Sequence, residues 1–208
     1  MHDALARTMI DDSDQALVLR AQRGDRHAFS QLVQRYQNRI YGLCFRLVGR
    51  HASAEEVAQE VFVRAWRGLS RFRHDASFTT WLRRIAVNTA ANHRDARTRR
   101  GWGKHTSIDH TSTERPRPLL EVLDGGSDSA SRTHQREARQ VVDNALASLE
   151  PAHREVLVLR ELEDLDYDEI AELLDLQVGT VKSRLHRARV RFAALVRSAI
   201  TPTDVGIP

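Results

Sequence analysis

The side chains with the clearest chemical capacity are concentrated in one stretch, Val178 to Phe192, reading VGTVKSRLHRARVRF. Lys182, Arg184, Arg187, Arg189 and Arg191 stand there with His186, and no acidic residue interrupts them. Ammonium and guanidinium groups are donors only, suited to phosphate oxygens and to the acceptor edge of guanine. Wound as a helix at about 100° per residue, the stretch divides its residues sharply. Val181, Leu185, Ala188, Phe192 and Leu195 form one apolar stripe. Lys182, Ser183, His186 and Arg187 lie on the opposite arc, and Arg184, Arg189 and Arg191 fall on the flanks. A groove-inserted helix needs this division, with short and forked donors toward base edges and long cations toward phosphates. Thr180, or Gly179 before it, is placed to cap the helix, whose positive end can also hold a phosphate.

Such a helix needs a partner to hold it. The preceding segment supplies one in DYDEIAELL, a short turn DLQ, and then the basic stretch, a helix-turn-helix pattern. Ala171 is small where two helices would cross, Asp175 falls at the turn, and Val181 reaches the shared core. From Glu155 to Asp175 there are nine acidic residues and one basic residue, Arg160, so charge is segregated across this half. EDLDYDE is no calcium loop, because Glu169 stands at the sixth position where glycine is needed. Pro151 suits the first turn of a buried helix running through REVLVLRELE.

The N-terminal half offers a second set. SAEEVAQEVFVRAWRGL reads as a helix with Ser53 as N-cap and Glu56 completing a capping box. Its apolar arc, Val57 through Val61, Ala65, Ala58, Leu69 and Phe62 to Trp66, is wider than one core contact requires. Gln59, Glu56 and Glu60 rim it, which suggests packing on one side and a protein partner on the other. After a loop from Arg71 to Ser77, a further helix turns Phe78, Trp81, Leu82, Ile85 and Thr89 inward. Asn88 and Asn92 follow one turn apart on the border of that stripe, beside Trp81 and Arg84. Amides and an aromatic near arginines suit capture of an unstacked base on a single strand.

The chain of 208 residues, 41% apolar and with pI near 9.8, is long enough for two small domains. Arginine far outnumbers lysine, the better fork for phosphate and guanine. Periodic helical segments fill 14–100, and no strand alternation stands out. The polar stretch 101–137, with Pro116, Pro118, Gly125 and Gly126, reads as a flexible linker in which PLLEVLDGG could dock. Helical periodicity resumes over 138–200, and 201–208 reads as a disordered tail. The expected fold is therefore all-α: two small helical domains on a flexible linker, the C-terminal one a helix-turn-helix. Cys44 is the only cysteine, set among apolar residues, so a buried thiol and a reducing cytosol are expected. No apolar run suits a membrane span, and no signal peptide is evident. No P-loop, zinc ligand set or nucleophile with its base occurs, and HExxH is absent, so neither an enzyme nor a metal or cofactor site is expected.

These residues resemble a known family. The stretch from LVLRAQRGD through FTTWLRRIAVNTAANHRDA is similar to the promoter-melting domain, region 2, of extracytoplasmic-function (ECF) sigma factors of the sigma-70 family. LASLEPAHREVLVLRELEDLDYDEIAELLDLQVGTVKSRLHRAR resembles their −35-reading domain, region 4. The resemblance covers about Asp14 to Val196 and implies a dissociable, cytoplasmic subunit of bacterial RNA polymerase. It implies that Glu56, Gln59, Glu60 and Phe62 bind the β′ clamp helices of core polymerase. His74, Asp75, Ala76 and Ser77, with Trp81, Arg84, Asn88 and Asn92, would take the single-stranded −10 element. Thr180, Lys182, Ser183, Arg184, His186, Arg187 and Arg189 would contact the −35 duplex, and the other surface of that domain the β flap. An anti-sigma factor is implied as a partner. Asp175 and Gln177 depart from the glycine and proline frequent at the family's turn, and Glu56 replaces a frequent Asp. The C-terminal half also resembles the DNA-binding domain of LuxR-type regulators, which bind duplex DNA without being polymerase subunits.

Overall fold

The computed structural model describes residues 13–101 and 129–200, and every regular element among them is helical. The linker core at 102–128, with the PLLEVLDGG docking expectation, and the tail at 201–208 lie outside the described residues.

Four helices make the first bundle: α1 (Asp14–Gln22), α2 (Arg26–Val48), α3 (His51–Gly68) and α4 (Phe78–Gly101), with a 3-10 turn at Leu69–Arg71. Ser13 caps α1 by accepting from the Ala16 amide at 3.3 Å. Asp25 caps α2, accepting from the amides of His27 at 2.9 Å and Ala28 at 3.1 Å, while Arg20 grips its other oxygen. The Ala28 amide first, and then Arg20, hold the Asp25 carboxyl below the usual carboxylate range. Gly49 ends α2 with φ of 75°, a left-handed conformation that costs glycine little.

The chain re-enters a helix almost at once, and here the expected capping box fails. α3 starts at His51 after Arg50, which makes no side-chain cap. Ser53 is buried within the first turn, and Glu56 reaches instead toward His93 Nε2, 3.4 Å away. The small residues Ser53, Ala54 and Ala58 are buried against the bundle, and that packing overrode the local cap signal. Leu17, Leu32, Leu43, Leu47, Val57, Val61, Leu69 and Leu82 fill the core. Cys44 is buried among them, and burial pushes its thiol up to about 12.

The second bundle comprises α5 (Ser129–Ala147), α6 (Pro151–Glu161), α7 (Tyr167–Leu174) and α8 (Val178–Ile200). α5 begins before Ala138, where helical periodicity alone became visible. Pro151 occupies the first turn of α6, as its sequence position suggested. The capping box that does form is at α7. Asp166 accepts from the Glu169 amide and the Glu169 carboxylate accepts from the Asp166 amide, each at 2.8 Å. Asp175 then takes the left-handed conformation, φ 52° and ψ 53°, and turns the chain from α7 into α8. The helix-turn-helix is therefore built with Asp where glycine would be easiest. Leu159, Ile170, Val181 and Leu185 close its core.

The bundles touch where α2 meets α5 and α6. Arg154 of α6, itself buried, reaches the C-terminal end of α2 and donates to the Leu47 carbonyl at 3.3 Å. Carbonyls at a helix C-terminus are unpaired and carry the negative end of the dipole, so a guanidinium fits there. A Cβ on Gly49 would stand 2.9 Å from Arg154 Nη1, so Gly49 answers two demands at once.

Candidate nucleic-acid interface

On α8 the division of residues expected from periodicity is realised. Val181, Leu185 and Ala188 are buried, and Phe192 and Leu195 pack partly against the core. Lys182, Ser183, His186 and Arg187 are exposed on the opposite face, while Arg184 is half-buried on a flank. The flank also differs from expectation in its charge balance. Arg189 donates twice to Glu161 Oε1, at 3.0 and 2.6 Å, and this bond raises its pKa further. It meets an incoming phosphate only by exchanging one anion for another. Neither Thr180 nor Gly179 caps α8. The helix starts at Val178, and the Gln177 carbonyl accepts from the amides of Thr180 and Val181 at 2.8 and 3.1 Å. The αL turn at Asp175 sets that earlier start, and Thr180 instead accepts the Ser183 hydroxyl at 3.0 Å.

Sequence reasoning missed Tyr167, the first residue of α7. Arg160 Cζ lies 5.2 Å and Lys182 Nζ 5.8 Å from its ring centroid, so the ring helps to place one of the candidate base readers. No local pattern could have announced a contact between α7 and α8 at this position.

In the first bundle the candidates line a track. Gln22 on α1 donates its amide to the carbonyls of Leu69 and Phe72, at 3.0 and 2.8 Å, and so fastens the loop entering α4. Its other amide atom meets His74 Nε2 at 3.2 Å; His74 is exposed, has φ of 62° and packs on Phe72. Asp75 and Ala76 are exposed beside it. Ser77 has a structural duty as well, since its hydroxyl oxygen accepts from the Thr80 amide at 3.1 Å at the start of α4. Trp81 is half-buried against Phe72 and Phe78, its ring over Gly68. Asn88 and Asn92 are exposed, one turn apart. At 1.5 Å rise per residue, Asn92 lies roughly 20 Å along α4 from the loop, so these residues do not converge on one base. They form an extended track along α4 and its entering loop instead of a single pocket. Arg84 borders that path, and its Nη2 is held by Glu172 at 2.6 Å.

α3 carries the third set. Val57, Ala58, Val61 and Ala65 are buried, whereas Glu56 and Gln59 are exposed and Glu60 pairs with Arg64 at 2.7 Å. Phe62 is half-buried, and the partly exposed Trp66 packs on Phe29 with centroids 4.9 Å apart. An acidic and apolar face is thus left unused by the core.

Two family models match this chain: Sigma-70 region 2 over residues 32–100 and Sigma-70 region 4 over residues 139–192. Across 183 residues the chain is 42% identical to the RNA polymerase sigma-H factor of Pseudomonas aeruginosa, covering 87% of this chain and 92% of that protein. Against the ECF RNA polymerase sigma-E factor of Escherichia coli it is 42% identical over 178 residues, 85% of this chain and 91% of the relative. The chain belongs to the ECF family of sigma-70 factors. Its fold also matches the sigma factor RpoE solved with the anti-sigma factor NepR from Bartonella quintana. There the TM-score is 0.61, at 22% identity over 81% of this chain and 96% of that one.

This ECF sigma factor is a subunit for transcription initiation, and the likeness through both halves disfavours a stand-alone LuxR-type regulator. Region 2 holds most of α2, all of α3 and nearly all of α4; region 4 holds the helix-turn-helix. Among the described residues, no helix is long and apolar enough to cross a membrane, and no His, Cys, Asp or Glu cluster could hold a metal.

Proposed function

We propose that this ECF sigma factor brings core RNA polymerase to a subset of promoters by holding two DNA elements in different ways. The face of α8 carrying Lys182, Ser183, His186 and Arg187 enters the major groove of the −35 duplex, and Arg184, Thr180 and Arg189 meet its backbone. The path from His74, Asp75, Ala76 and Ser77 past Trp81 and Arg84 to Asn88 and Asn92 receives the single-stranded −10 element. Glu56, Gln59, Glu60 and Phe62 on α3 form the surface for the β′ clamp helices, extended by Trp66. The opposite side of region 4 meets the β flap. The subunit works in the cytosol, contributes positioning and strand separation without bond chemistry of its own, and is held in check by an anti-sigma factor.

The observation that carries this reading is the division of α8 into a buried apolar stripe and an acid-free exposed face, behind a turn that Asp175 completes. Asn88→Ala tests the melting assignment, because Asn88 is exposed and its loss removes donors without disturbing the core. Transcription by core polymerase should fall several-fold more on a duplex promoter than on a template already open at −10. Equal losses on the two templates would refute a role in strand opening.

A further inference from the structure

The loop entering α4 keeps one histidine in an uncommon conformation. His74 has φ of 62°, a left-handed backbone that glycine adopts at less cost. Its ring is exposed and rests on Phe72, with centroids 4.7 Å apart. Closing the loop does not require that ring. Gln22 already fastens the loop, donating its amide nitrogen to the carbonyls of Leu69 at 3.0 Å and Phe72 at 2.8 Å. Both partners are acceptors, so the Gln22 amide has one orientation only: nitrogen toward the loop backbone, oxygen toward His74. That oxygen lies 3.2 Å from His74 Nε2 and can only accept. Nε2 must therefore carry the proton, and in the neutral ring Nδ1 is left as an acceptor. Among the described residues, the bond to Gln22 is the only hydrogen bond of this ring.

We propose that His74 is a specificity-determining residue for the single strand, its Nδ1 accepting from a base that carries an exocyclic amino group, and that Gln22 is the positioning residue that sets this polarity. Adenine and cytosine both offer such an amino group on the edge that an unstacked base exposes. Thymine offers a single N–H on that edge, set between two carbonyl oxygens that repel an approaching lone pair. An Nδ1 acceptor therefore favours adenine or cytosine over thymine. The inference deepens the −10 reading above and rests on it.

The neighbours of His74 on the loop do not supply this discrimination. Arg71 and Arg73 are exposed cations, which meet phosphates whatever base they carry. Ser77 spends its hydroxyl on Thr80, accepting from the amide at 3.1 Å. Asp75 is an exposed acceptor, but its negative charge opposes a phosphodiester strand, and nothing among the described residues fixes its direction. The His74 ring is held on one face by Phe72 and at one nitrogen by Gln22, so its free nitrogen is aimed before a strand arrives. A histidine retained where glycine is easier thus gains a role that the closing of the loop does not give it.

The test uses the full chain with core polymerase, on fork templates whose nontemplate strand is single over the −10 element. Each position of that strand carries each base in turn, with purine and 2-pyrimidinone as the forms of adenine and cytosine that lack the amino group. Work at about pH 8 keeps an ordinary imidazole neutral. One position should favour adenine or cytosine over thymine by about three- to ten-fold, and the analogue without the amino group should lose that factor. His74→Gly suits the left-handed backbone and should flatten the preference at that position alone. Nitrogen-15 spectra of the full chain should show His74 protonated at Nε2 in the wild type and a mixture of tautomers in Gln22→Leu, with a weaker base preference. Should Gln22→Leu lose its helical circular dichroism, His74→Gly and the wild-type spectrum decide. A wild-type ring protonated at Nδ1, or an unchanged preference in His74→Gly, overturns the proposal and leaves the −10 reading standing. Templates held equally well without the single strand would overturn that reading, and the proposal with it.

Discussion

In the proposed reading, Lys182 and Arg187 are the side chains on which base selection turns. Both are exposed on the face of α8 away from Val181, Leu185 and Ala188, so truncating them leaves the fold intact. Arg187 is free to present its fork to guanine, while Lys182 is steadied by the Tyr167 ring. Lys182→Ala and Arg187→Ala should each weaken −35 binding by about 1–3 kcal/mol and relax preference at the base pair they contact. Binding to a panel of −35 substitutions checks this. Uniform loss over the panel would make them phosphate contacts instead. Arg189 differs from both, because Glu161 already satisfies part of its fork, and its removal should matter less.

At the scale of elements, the turns decide where the faces point. Gly49 ends α2 in the left-handed region, and a Cβ there would also press on Arg154 Nη1 at 2.9 Å. Gly49→Ala should therefore cost about 1–2 kcal/mol, most of it from the left-handed backbone because Arg154 can shift its flexible end. A thermal midpoint lowered by roughly 3–6 °C would agree; an unchanged midpoint would show that the turn relaxes without strain. The α8 stripe and the all-helical class were legible in the sequence, since helical periodicity is a local signal and Val181, Leu185 and Ala188 all proved buried. Caps were legible only in part. Ser53 and Thr180 have the right chemistry, but the true starts are set by Gly49 and Asp175 just upstream. Gln22, Tyr167, Glu163 and Arg154 were not legible at all. Each acts on a residue of another element, and a single sequence carries no mark of such a pair.

The whole molecule combines two bundles that sequence periodicity presented as independent. Arg39, Arg83, Arg84 and Arg94 on one side and Glu155, Glu163 and Glu172 on the other join them, and the likeness to ECF sigma factors runs through both. The proposed division of labour gives the duplex to α8, a single strand to α4 and its loop, and the polymerase to α3. The central claim is that one chain joins these tasks on core enzyme. Run-off transcription from genomic promoter fragments with purified bacterial core polymerase tests it most directly. With the full chain added, transcripts should start at discrete sites sharing −35 and −10 sequences, and Arg187→Ala should shift which sites are used. Core polymerase that starts at no specific site with the chain present would contradict the account.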